Sequence, residues 1–313
     1  MAAPANNGPM TVLEILNRTK VFFEKKGVPD ARLDAEYIIS HGLKMKNRMD
    51  LYLNFEKPLT PAELDELRPM VARRANREPL QHIIGDTSFR GFIIKCDPRA
   101  LIPRPETEMI VDMARDRLNA LSAARGDTED ATCFVVEIGT GSGCISIATA
   151  KEIANAKVLA CDISDDALSL ARENAAANEL TDGKLTFAKG DLLEAATADA
   201  LTAAGLAADQ KIDCLIANLP YIPDGEKANL QPEVANFDPT LALFGGADGL
   251  DLVRKLLKQT EGRMNSGASI LLEIGSEQGT MLEAEASSYP WLTFTGIHKD
   301  YCGNVRFVSY KAK

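Results

Sequence analysis

No two cysteines stand in a Cys-x-x-Cys pair and the chain holds only three histidines. The closely spaced ligands of a structural zinc site are therefore missing, and no metal is expected. The six cysteines, Cys96, Cys133, Cys144, Cys161, Cys214 and Cys302, are too sparse in 313 residues for a secreted disulfide scaffold. Cys133, Cys161 and Cys214 lie in apolar, strand-like runs, where cysteine acts as a small buried hydrophobe. A reducing, cytoplasmic setting is the expectation. No apolar run approaches the ~18 residues that span a bilayer. Met1 to Met10 lacks both the basic region and the apolar core of a signal peptide. A soluble chain without membrane partners follows. Positive charge is also short: 45 acidic against 35 basic residues give a formal net charge of -10. A general nucleic-acid binder presents a basic face, so no direct nucleic-acid binding is expected.

What is present reads as a folded chain. Hydrophobic residues at 45% and charged residues at 26% are ordinary globular usage, which excludes large-scale disorder. The length exceeds one typical domain, so a main domain plus a smaller one is expected. The first eighty or so residues read as helices. Thr11 with Glu14 forms a capping box ahead of Val12, Ile15, Leu16, Phe22 and Phe23 at helical spacing. Gly27 and Pro29 stop that helix. A second begins near Asp30 and is expected to place Leu33, Tyr37 and Ile38 on one face. A third starts at Thr60 with Pro61 at its first position and Glu63 closing the box.

Phe89, Phe92 and Ile94 around Gly91 predict a short hairpin, after which Pro98, Pro103 and Pro105 stiffen the chain. Beyond it, apolar strands alternate with helical stretches such as Asp165–Asn178 and Gly249–Thr260. The strand candidates are Cys133–Ile138, Lys157–Ile163, Lys184–Lys189, Ile212–Ala217 and Ser269–Ile274. This βαβ rhythm predicts a parallel sheet with helices on both faces. Leu292–His298 and Asn304–Tyr310 have no helix between them and should pair antiparallel. Leu121–Ala131 reads as a loop, and the alanine-rich Ala195–Asp209 as a helix with a variable connection.

The first of these strands feeds a Gly-x-Gly-x-Gly turn, Gly139-Thr140-Gly141-Ser142-Gly143, ahead of a helix. Such glycines let the backbone approach a ligand closely, and the helix start favours a carboxylate or phosphate. Dinucleotide binding fits less well, because that fingerprint wants glycine or alanine where Cys144 stands. Asp162 ends the second strand, where an acid accepts hydrogen bonds from ribose hydroxyls. Asp191, after the third strand, lies where an adenine would sit. The fourth strand ends in Asn218-Leu219-Pro220-Tyr221, at the switch point of an open α/β sheet. An acceptor on Asn218 and the Leu219 carbonyl can each take one N–H of a planar amide or amine nitrogen. Pro220 fixes the direction of that carbonyl, and Tyr221 offers a flat face. A nitrogen whose lone pair is delocalised needs positioning more than a base.

Together these motifs resemble the PrmC/HemK family of release-factor glutamine methyltransferases. The resemblance covers almost the whole chain. It includes Pro79-Leu80-Gln81-His82-Ile83-Ile84-Gly85 and the highly specific Leu101-Ile102-Pro103-Arg104-Pro105-Glu106-Thr107-Glu108. Leu241 to Gly246, Asp248-Gly249-Leu250, Leu272-Glu273-Ile274-Gly275 and Gly303-Asn304-Val305-Arg306 also match. It implies a Rossmann-like class I methyltransferase domain with a seven-stranded, mostly parallel sheet. The implied organisation is a helical docking domain over 1–78, a hairpin connector over 79–104 and the methyltransferase domain over 105–313.

The family uses S-adenosyl-L-methionine, leaving S-adenosyl-L-homocysteine. Its substrate is the side-chain amide (N5) of the glutamine in the Gly-Gly-Gln loop of class I peptide chain release factors. By resemblance Gly139, Thr140, Gly141, Ser142, Gly143, Asp162, Asp191, Leu192 and Asn218 hold the cofactor. Asn218, Leu219, Pro220 and Tyr221 hold the glutamine and carry catalysis. Arg104 and Thr107 are expected at the cofactor pocket, Glu106 and Glu108 as structural, and the histidines without a catalytic role. A monomer is expected.

Leu219 stands where the family reads proline. Asn-Leu-Pro-Tyr also resembles ribosomal RNA adenine dimethyltransferases, which keeps open an adenine N6-methyltransferase acting on RNA or DNA. The Pro-Arg-Pro-Glu-Thr-Glu connector and the acidic balance count against that alternative. Asp238 stands where the family tends to have glutamate, a mild change at a loop position. Glu273 reads as a strand end.

Overall fold

Two threonine capping boxes begin the helical part as the sequence predicts. The computed structural model describes residues 9–126, 128, 131–180 and 183–313, so the expectation for Met1 to Gly8 lies outside the described residues. The Glu14 amide donates to Thr11 Oγ1 (3.3 Å) and the Thr11 amide to the Glu14 carboxylate (3.0 Å), starting α1 (Val12–Lys25). α2 (Ala31–Gly42) and α3 (Arg48–Leu53) follow. Thr60, Pro61 and Glu63 start α4 (Pro61–Ala75), and α5 (Leu80–Ile84) ends on Gly85 at a left-handed φ of 97°.

The buried face of α2 differs from the expected one. Ala31, Ala35, Ile38 and Ile39 enter the core, whereas Leu33 and Tyr37 are exposed. Likewise Phe23 is buried and Phe22 exposed. A narrow helical stripe can take only some of the apolar residues that follow each other around the helix.

Arg90 (φ 51°) and Gly91 (φ 82°) form the two-residue turn between β1 (Asp86–Phe89) and β2 (Phe92–Lys95). Positive φ at both positions matches the twist of a tight hairpin. Arg90 tolerates it because its guanidinium is held by Asp112 (2.9 Å) and Glu152 (2.6 Å).

α6 (Met109–Arg125) runs through the first part of the predicted loop, since Leu118 and Leu121 continue its buried face until Gly126 caps it. Then come β3 (Cys133–Ile138), α7 (Cys144–Glu152), β4 (Ala156–Asp162), α8 (Asp165–Ala177) and β5 (Leu185–Lys189). α9 (Ala198–Ala203) and β6 (Ile212–Asn218) precede α10 (Pro232–Phe237). α11 (Asp251–Gln259), β7 (Met264–Glu273), α12 (Gln278–Ala284), β8 (Leu292–Lys299) and β9 (Val305–Ala312) close the chain. The seven-stranded sheet has the order β5-β4-β3-β6-β7-β9-β8, parallel except for the β9 pairings with β7 and β8. This is the seven-stranded, mostly parallel class I arrangement that the resemblance implies.

β3 is buried at every residue, and its side chains alternate between two cores. Val136 and Ile138 join one apolar cluster with α11, while Val135 joins another with α6 and α7. Cover on both faces explains why the parallel strands read as continuous apolar runs. Cys133, Cys161 and Cys214 are buried there as predicted. No helix among the described residues is long and apolar enough to cross a membrane.

The chain divides into two compact units. One comprises residues 1–85 with 231–237, and the other 86–230 with 238–313. The helical unit thus takes in 79–85 and α10, a segment that sequence pattern places with the sheet. Within that unit Arg74 Nε meets Asp34 (2.6 Å) and Arg74 Nη2 meets Glu233 (2.9 Å), with Arg77 adding 2.5 Å to Glu233. Burial nevertheless leaves the Asp34 carboxyl above its ordinary pKa, so the pairing does not fully offset desolvation. Removing the cation alone strands the Asp34 carboxylate, whereas Glu233 keeps Arg77. Arg74→Ala should lower stability by about 3 kcal/mol, read by denaturant unfolding. A loss below about 1 kcal/mol would show that the pair is surface-like.

Candidate active site

A cavity opens at the carboxyl ends of β3, β4 and β6, beside the point where strand order reverses. Gly139, Thr140, Gly141, Ser142, Asp162, Asp191, Leu192, Asn218, Leu219 and Pro220 all line it, together with Arg104 and Thr107. Gly143 and Tyr221, expected with them, are not in its wall. Gly143 (φ 83°) caps α7 and presses on α8, where a Cβ would meet Ala171 at 3.1 Å. The Tyr221 carbonyl accepts from Gln278 Nε2 (2.7 Å).

The turn after β3 is fixed from both sides. The Gly139 and Thr140 amides donate to the Cys161 carbonyl at 2.9 and 3.0 Å. Gly139 has a φ of 74°, and a Cβ there would lie 3.2 Å from Leu219 Cδ2. Asp162 Oδ2 accepts the Gly141 amide and Oδ1 the Ser164 amide, both at 2.9 Å. Each carboxylate oxygen keeps a lone pair for a further donor. Asp191 pairs with Lys255, and Leu192 next to it sits at a φ of 54°, an uncommon left-handed position for leucine.

Sequence pattern missed Glu137. It is fully buried under the turn, accepts from Thr140 Oγ1 (2.7 Å) and Ser146 Oγ, and burial pushes its pKa up to about 7. Its place inside an apolar strand hid it.

Asn218 ends β6, and Leu219 packs over Gly139 with its side chain buried. No backbone N–H among the described residues reaches the Leu219 carbonyl. The segment after Pro220 is gripped by a glycine wrap. The Ile222 amide donates to Leu243 O and the Gly245 amide to Ile222 O, both at 3.0 Å. A Cβ on Gly245 would meet Pro220 O at 2.3 Å, and one on Gly249 would meet Tyr221 O at 2.0 Å. Asp238, read as a mild loop change, is buried. Burial lifts its pKa to about 6, and Arg104 at 3.3 Å only partly opposes this.

Known proteins resemble this chain over most of its length. A family described as PrmC N-terminal domain matches residues 14–85, and one described as methyltransferase domain matches 129–281. A release factor glutamine methyltransferase of Geobacter sulfurreducens is 38% identical over 86% of this chain and 85% of its own length. That of Rhodopirellula baltica is 32% identical over 99% of both chains. The chain belongs to the release factor glutamine methyltransferase family. A human relative, MTRF1L release factor glutamine methyltransferase, is 29% identical over 97% of this chain and 88% of its own. Among solved structures, the hMettl16 catalytic domain in complex with MAT2A 3′UTR hairpin 1 has a TM-score of 0.55. It is 19% identical, covers 78% of this chain and 80% of that one, and shares the fold.

In this family S-adenosylmethionine is the methyl donor. The residues present fit it. Asp162 has spare acceptor capacity for ribose hydroxyls, Ile163, Leu192 and Leu252 supply apolar wall for a planar base, and a Cβ at Gly139 would crowd the turn.

Proposed function

We propose that this chain transfers the methyl group of S-adenosyl-L-methionine to the side-chain amide nitrogen, N5, of the glutamine in the Gly-Gly-Gln motif of class I release factors. The observation that carries this reading is the pair of acceptors at the tip of β6, the Asn218 side chain and the Leu219 carbonyl. Both residues line a cavity whose other wall suits the donor. Bound there, the donor supplies an electrophilic methyl carbon, and S-adenosyl-L-homocysteine leaves. Asn218 and Leu219 each accept one N–H of the amide and turn the face of its nitrogen towards that carbon. Pro220 restrains Leu219, and the wrap at Gly245 and Gly249 restrains Pro220 and Tyr221 in turn. The methylated nitrogen is acidic and sheds one proton, so no strongly basic side chain is needed. Catalysis is positioning and electrostatics.

The helical part, 1–78, serves as docking domain for the release factor. The connector, 79–104, brings Arg104 to the site, and 105–313 carries the chemistry. The protein acts in the cytoplasm as a monomer, without membrane or direct nucleic-acid contact. Gly139 to Ser142, Asp162, Asp191, Leu192 and Asn218 hold the donor, with Gly143 behind them closing the turn onto α7. Asn218 to Tyr221 hold the glutamine, Tyr221 from behind the cavity wall. Transfer of labelled methyl to a release factor, with none to ribosomal RNA or DNA, is the expected outcome of a parallel assay. Label in nucleic acid alone would favour the adenine reading.

Asp162 tests the donor site. Asp162→Ala removes one charge-assisted bond to the turn at Gly141, one to the Ser164 amide, and the acceptor for ribose. Donor affinity should fall about tenfold or more by calorimetry. An unchanged affinity would remove Asp162 from the site.

A further inference from the structure

Glu273 ends β7 as the register partner of Asn218 on the parallel neighbour β6. Paired residues on adjacent strands point to the same face, and the strands lie about 4.8 Å apart. Glu273 is buried and does not line the cavity, but two residues beside it do, Thr107 and Asn218. Thr107 Oγ1 donates to Glu273 Oε2 at 2.7 Å. The other oxygen, Oε1, is buried without a hydrogen-bond partner among the described residues. A buried carboxylate oxygen left in that state is costly unless something closes onto it.

We propose that Glu273 is a positioning residue that sets the polarity of the substrate corner. An ionised carboxylate only accepts. It therefore draws the Thr107 hydroxyl hydrogen and one Asn218 Nδ2–H inward. Thr107 lone pairs and the Asn218 Oδ1 are then left as acceptors towards the cavity. A substrate amide brings two N–H donors, so an all-acceptor corner is what it requires. This rests on the reading of the substrate as an amide.

The charge state of Glu273 then governs the corner. Burial pushes its pKa up to about 7, against the Thr107 hydrogen bond, the nearby Arg306 and, more weakly, Asn218; Glu106 adds to the rise. Arg306 approaches Glu106 at 3.8 Å from β9, and Tyr221, itself raised by burial and by Glu273, stays neutral. Above about pH 7 Glu273 is an acceptor. Below it the carboxyl gains a proton, can donate to Asn218 Oδ1, and turns the amide the wrong way. Turnover should therefore fall as pH drops through about 7.

The test is release-factor methylation across pH by wild type, Glu273→Gln and Thr107→Val, with donor affinity measured alongside. Wild type should show an acid limb near pH 7 in kcat. Glu273→Gln, which accepts with only one atom, should lose about tenfold or more in kcat at pH 8. Its donor affinity should be kept and its acid limb gone. Thr107→Val removes a bond that favours the charge, so its limb should move up by about 0.5 unit or more. If Glu273→Gln does not fold, the Thr107→Val limb decides alone. A Glu273→Gln enzyme with wild-type kcat or an unchanged limb, or an unmoved Thr107→Val limb, overturns the proposal. Wild type that leaves the release factor unmethylated would instead overturn the substrate reading.

Discussion

Asn218→Ala should lower turnover by roughly 10²-fold or more while donor affinity stays within several-fold. The side chain stands at the end of β6, half-buried in the cavity wall, so its loss removes an acceptor without emptying the core. The Leu219 carbonyl remains and can still take one N–H, but a single contact leaves the amide free to rotate about it. The effect therefore belongs in kcat, and single-turnover methylation with calorimetric donor binding separates the two quantities. Near-normal turnover would remove Asn218 from the role argued for it.

An effect of similar size is expected from a residue that touches neither reactant. Gly245→Ala places a methyl 2.3 Å from Pro220 O and 2.5 Å from Gly249 O. Both obstacles are backbone atoms, so the corner itself must shift. A displacement approaching 1 Å at a reacting group costs on the order of 10²-fold. Turnover should fall by that order, with donor binding kept, because the β3 and β4 walls are untouched. Gly225→Ala is the control: nothing lies within 4 Å of its Cβ, and activity should be unchanged. Equal activity of the two variants would mean that the wrap does not hold the corner.

How much of this the sequence carried depended on the range of the interaction. Capping boxes, strand runs and the glycine turn are local signals, and Thr11, Thr60 and β3 appear where spacing places them. Asn218 was readable because β6 lies beside β3, a consequence of strand order in doubly wound sheets. Leu33 and Tyr37 misled because apolar character alone does not tell which side of a helix meets a neighbour. α6 runs into the predicted Leu121–Ala131 loop because its buried face continues to Leu121 and only Gly126 stops it.

Glu273, Asp238 and Gln278 were harder. Each acts through partners far away in sequence: Thr107 for Glu273, Arg104 for Asp238, and the Tyr221 and Asp248 carbonyls for Gln278. A buried acid at a strand end looks the same in sequence as an exposed one. Tyr221 follows the same motif, and its carbonyl too is held by a partner far away in sequence, Gln278.

Incubation of a class I release factor with this protein and isotopically labelled S-adenosylmethionine, followed by peptide-resolved tandem mass spectrometry, tests the central claim most directly. One labelled methyl group on the side-chain nitrogen of the Gly-Gly-Gln glutamine, lost with Asn218→Ala, is the predicted result. A methyl group on any other residue type, or an unmodified release factor from an enzyme that binds the donor, would contradict it.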